Sequence, residues 1–100
     1  GESFSFHGYL PIDKKEKSRK IKFLEGLSRN QEQTQIFMET PYRNNQMIDD
    51  LIKICSPSTK LCLAANLNTS KSYIKTKSIE EWKSSKPNLN KVPCIFLLGI

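Results

Sequence analysis

The chain has 100 residues, 37% of them hydrophobic, and a formal net charge of +6. That is one domain's length, enough for a modest core and too short for a deep, self-contained active site. No apolar run approaches membrane-spanning length, the composition is not that of a disordered chain, and three cysteines argue against a disulfide framework.

The first segment, Phe4 to Leu10, carries Phe4, Phe6, Tyr9 and Leu10 and reads as a strand ended by Gly8 and Pro11. Asp13, with Glu16 three positions on, has the spacing of a helix N-terminus. A helix from about Lys14 to Arg29 follows, with Ile21, Leu24 and Leu27 as its apolar stripe. Gln35 to Glu39 suits a short buried strand. Thr40 and Pro41 fit the start of a second helix running to about Cys55, with Met47, Ile48, Leu51, Ile52 and Cys55 facing inward. Lys60 to Leu67 and Ser72 to Lys77 read as two strands joined by a tight polar turn, hence antiparallel neighbours. Ser78 and Glu81 open a short helix that carries Trp82. After a polar loop, Val92 to Leu98 is almost wholly apolar and therefore central. The order β-α-β-α-β-β-α-β predicts an α/β domain, a mixed β-sheet with packed helices.

The basic charge is concentrated. Lys14, Lys15, Lys17, Arg19, Lys20 and Lys22 stand against Glu16 alone between positions 14 and 22. A local basic patch points to a polyanion such as RNA, and equally describes the wet side of a helix. The lone histidine, His7, sits in an aromatic-rich strand, where a hydrogen-bonded structural role is the ordinary one. Asp49 and Asp50 lie opposite the apolar stripe and read as solvated. Cys55, Cys62 and Cys94 share no metal-ligand spacing and sit in apolar runs, as small hydrophobes in a reducing, cytoplasmic setting. Gly1, Gly8, Gly26 and Gly99 form no phosphate-cradling loop. The residues name no catalytic base. Two strand exits remain as ligand sites or as plain strand ends: "FMETPYR", where a strand runs into a helix start, and "LAANLNT", where small residues leave the backbone open.

Read together, "FSFHGYLPIDKKEKSRKIKFLEGL", "FMETPYRNNQMIDDL", "KLCLAANLNTSKSYIKTKSIEEW" and "VPCIFLLG" resemble, in order, the C-terminal domain of the small-subunit ribosomal RNA ribose 2'-O-methyltransferases. That group lies within the tetrapyrrole methylase superfamily. Thr40 and Tyr42 stand where the family has serine and histidine. Ala65 and Asn66 stand where it has arginine and glutamate, so the ligand loop lacks its charges. The resemblance implies a two-domain enzyme whose N-terminal domain is absent from residues 1–100, with S-adenosylmethionine held between the domains. It implies cofactor contacts, through main chain, at Phe37, Met38 and Glu39, at Cys62, Leu63, Ala64, Ala65 and Asn66, and at Pro93 and Cys94. It also implies an RNA-facing surface of Lys14, Lys15, Lys17, Arg19 and Arg43, with ribosomal RNA or the small ribosomal subunit as partner, and a homodimer by analogy. The alternatives are a tetrapyrrole or other small-molecule methyltransferase of the same superfamily, and a non-enzymatic basic module binding RNA or protein.

Overall fold

A computed structural model describes residues 3–99; Gly1 lies outside them. Strand β1 (Ser3–Tyr9) leads into helix α1 (Lys14–Asn30), strand β2 (Gln33–Met38) and a single 3-10 turn (Pro41–Arg43). Helix α2 (Asn44–Ile54), strands β3 (Lys60–Ala65) and β4 (Tyr73–Ser78), helix α3 (Ile79–Ser84) and strand β5 (Cys94–Leu98) complete the chain. The expected order of elements holds. The sheet runs β1-β2-β5-β3-β4, with β1 parallel to β2 and every other pairing antiparallel. The apolar β5 is central, as its composition demands.

Local capping chemistry starts α1 and α3. The Asp13 carboxylate accepts from the Glu16 N–H, satisfying one of the unpaired donors at the start of α1. Ser78 and Glu81 complete a reciprocal capping box on α3. Thr40 differs from expectation. Its side chain makes no cap, and its own N–H is taken by the Glu39 carboxylate at 2.8 Å. The proline turn is 3-10, and the α-helix begins at Asn44.

All three helices pack on one face of the sheet. Ile21 and Leu24 from α1, Met47, Ile48 and Leu51 from α2, and Ile79 and Trp82 from α3 share one core with Phe37, Leu61, Leu63, Phe96 and Leu98. Phe37 stacks on Phe96 at 5.5 Å between ring centroids. Trp82 is wholly buried, and its indole N–H donates to the Leu61 carbonyl at 2.8 Å.

No helix of that core crosses to the opposite face. There the register draws two cross-sheet rows. The first is Phe6, Ile36, Leu97, Cys62 and Thr76; the second is Tyr9, Met38, Ile95, Ala64 and Ile74. Tyr9 joins its row only because the β1 register shifts between Phe6 and Tyr9, where Gly8 takes φ 69°. The extra residue of this bulge returns Tyr9 to the face of Phe6.

Candidate functional site

A groove of about 360 Å³ lies at one end of the sheet, where β1, β2 and β3 finish and β5 starts. Met38, Glu39 and Pro41 form one wall, Ala64 and Leu67 a second, and Pro93, Cys94 and Ile95 the third; Tyr9 stands at the rim. The Pro93 wall is held from below. Buried Asn44 donates through its amide nitrogen to the carbonyls of Leu89 and Val92. Lys91 N–H donates to the Pro41 carbonyl at 3.0 Å. These bonds tie the loop before β5 to the start of α2.

Five of the ten cofactor positions implied by the resemblance converge here: Met38, Glu39, Ala64, Pro93 and Cys94. The other five do not line the groove. Phe37, Leu63 and Ala65 point into the helix-side core and are fully buried, because alternate residues of a strand face opposite ways. Cys62 sits mid-strand, paired with Leu97 and Thr76. Asn66 turns the chain out of β3 with φ 52° and donates its N–H to the Pro93 carbonyl at 3.0 Å, bracing two walls against each other. Tyr9 and Ile95 line the groove without having been expected, and Pro41 and Leu67 line it from within the two strand exits. The two strand exits, "FMETPYR" and "LAANLNT", do supply two of its walls.

Cys94 borders the groove, yet burial pushes its thiol up to about 12, so it stays protonated at neutral pH. Cys55, on the far side of the core, is likewise raised to about 12, by burial first and by the neighbouring Glu25 carboxylate second. Neither offers a thiolate nucleophile. His7 has the structural role expected of it: its Nε2 donates to Gln35 Oε1 at 2.6 Å.

The basic helix divides. Lys14, Lys15 and Arg19 are exposed around a shallow hollow with Asp13 and Ser18. Lys17 is a correction to the expected surface. Its side chain is buried and its ammonium pairs with Asp50 at 2.9 Å, joining α1 to α2. Asp50 is therefore not solvated, and only Asp49, paired with Lys86 at 3.1 Å, is exposed as expected. Arg43 is exposed and borders a second hollow with Tyr9, Ile12 and Glu39, beside the groove. The exposed cations of α1 start from the same end of the sheet as the groove, because α1 follows the end of β1. Among the described residues, no helix is long and apolar enough to cross a membrane.

No protein-family model matches the chain, and no curated protein sequence does. Solved structures do match. The methyltransferase CobJ is similar with a TM-score of 0.57 at 15% identity, over 98% of this chain and 41% of that one. The uroporphyrin III C-methyl transferase from Thermus thermophilus gives 0.54 at 15% identity, over 98% and 40%. The cobalt precorrin-4 methyltransferase CbiF, a cobalamin biosynthetic enzyme, gives 0.56 at 13% identity, over 97% and 40%. The chain spans about two fifths of the length of these structures. It has the mixed α/β fold of the tetrapyrrole methylases.

Proposed function

We propose that this chain is the C-terminal half of an S-adenosylmethionine-dependent methyltransferase that acts on a ribose 2'-hydroxyl of small-subunit ribosomal RNA. The observation that carries the reading is the groove at the strand ends, where five positions implied by the sequence resemblance meet around a largely apolar space. Such a site takes a purine and its ribose through backbone groups and small side chains. The upstream domain would supply the rest of the cofactor site. The protein's part in the chemistry is to align the acceptor oxygen with the sulfonium methyl and exclude water. Lys14, Lys15, Arg19 and Arg43, exposed around the same end of the sheet, support an RNA backbone as the macromolecular partner. Such an enzyme works in the cytoplasm, where ribosomal subunits are its substrate.

The test is transfer of a labelled methyl group from S-adenosylmethionine to isolated small ribosomal subunits by the complete polypeptide carrying this chain. We expect a 2'-O-methylated nucleoside. Ala64→Leu, which puts bulk into the groove, should abolish transfer while leaving the fold intact. Replacing Lys14, Lys15 and Arg19 together by alanine should weaken RNA binding and flatten its salt dependence by about two logarithmic units of slope. The names of the matched structures favour a second reading, a tetrapyrrole substrate. Methyl transfer to a porphyrinoid and none to RNA would establish that reading and remove the first.

A further inference from the structure

We propose that the RNA reaches the groove as an unpaired strand, with one nucleobase stacked on Phe23 of α1 and another on Tyr9 at the rim. The inference rests on the RNA reading above for the identity of the polymer. It adds how the strand is held and which form of RNA is refused.

The groove is the end of a longer furrow. It shares Tyr9 and Glu39 with the hollow beside Arg43. That hollow shares Pro11 with another of about 320 Å³, lined by Glu16, Arg19, Lys20 and Phe23. Arg19 in turn borders the hollow around Lys14 and Lys15. The furrow therefore leaves the sheet end, passes over the loop between β1 and α1, and follows α1.

Apolar side chains and cations are interleaved along it. Tyr9, Ile12 and Phe23 are 62%, 72% and 57% exposed. Phe23 lies beside the buried stripe of Ile21 and Leu24, on a helix face that otherwise carries charge. More than half of it faces water and adds nothing to the core. The Lys20 ammonium stands 5.5 Å from its ring centroid. An open ring with a cation beside it matches the two parts of a nucleotide: the ring takes the face of the base, the cation the phosphate. Duplex RNA cannot use such a ring, because its bases are already stacked on each other and present only edges and backbone. Carboxylates line the furrow as well. Asp13 accepts from the Glu16 N–H and Glu39 from the Thr40 N–H, which engages both in the fold. Glu16 is exposed in the Phe23 hollow and opposes a phosphate there, so the backbone runs on the Arg19 and Lys20 side of the ring.

Fluorescence anisotropy with the complete polypeptide carrying this chain tests this, using a labelled oligouridylate and a labelled blunt RNA duplex of equal length. We expect the single strand to bind at least about tenfold more tightly. Phe23→Ala should weaken it by about tenfold, the worth of one stacked base, while duplex binding and the urea midpoint stay unchanged. Phe23→Trp should keep single-strand binding, because any broad aromatic face serves a stacked base. Phe4→Ala removes a ring that is 68% exposed on β1 outside the furrow, and should change nothing. Equal affinity for the two RNAs, or single-strand binding indifferent to Phe23→Ala, would overturn the proposal. Methyl transfer to ribosomal subunits would in that case still uphold the RNA reading. Transfer to a porphyrinoid alone, with Phe23-dependent binding of the oligouridylate intact, would remove that reading and leave the stacking site standing.

Discussion

Lys17 is where a single side chain changes the account of the molecule. It belongs by composition to the basic run and by position to the core stripe, since Ile21, Leu24 and Ser28 follow it at helical spacing. Asp50 stands in the same relation to Met47, Leu51 and Ile54 on α2. Each charge occupies an edge position of an apolar stripe, and the two meet between the helices at 2.9 Å. Asp50→Ala would leave the ammonium enclosed and unpaired, and should cost about 3 kcal/mol in urea denaturation. The double replacement Lys17→Met with Asp50→Leu should be close to neutral by the same measurement, because it removes both charges and keeps the volume. The place of Lys17 on the buried stripe was legible from periodicity, had the stripe been extended one turn back from Ile21. What no periodicity supplies is that the two stripes would face each other. Tyr9 shows the opposite limit. Its place at the groove depends on a bulge at Gly8, and simple alternation from Phe6 would have turned it toward the helices.

Among the elements, α1 comes close to the chain just past the end of β5. Gly99 has φ 104°, and a Cβ there would come within 2.6 Å of the Ser28 Cβ. Its N–H donates to the Lys60 carbonyl at 2.8 Å, so the backbone cannot easily turn away. Gly99→Ala should therefore destabilise the domain by about 2 kcal/mol, read as a lowered urea midpoint. Ser28→Gly in the same chain should recover part of the loss by opening space, and the part due to the left-handed backbone should remain. The element boundaries followed hydrophobic period and capping residues closely, with α1, α3 and the β3–β4 hairpin in their expected places. The start of α2 did not follow. The signal at Thr40 and Pro41 was that of a helix start, but the Thr40 side chain makes no cap and a 3-10 turn intervenes. Which way a capping side chain turns is settled by tertiary position, which the residues of one segment do not contain.

For the molecule as a whole, the enclosed thiols set how stability responds to alkali. Cys55 and Cys94 are raised from 9.0 to about 12, and burial raises the Tyr73 phenol as well. The unfolded chain releases thiol protons near pH 9, while the folded chain holds them to about 12. The stabilising contribution is therefore complete below pH 9 and is lost as pH climbs from there toward 12. Urea midpoints should fall between pH 8 and 10, and replacing both cysteines by alanine should flatten that fall. The strand order of the sheet has a consequence for how the molecule comes into being. β5 lies between β2 and β3, so the earlier strands form two separate pairs with no hydrogen-bonded link between them. Ile36 and Leu97, partners across that seam, are 97 − 36 = 61 residues apart. The sheet can close only once β5 is present to pair with both, so its folding should be limited by a long-range step, read as a single slow phase in refolding from urea.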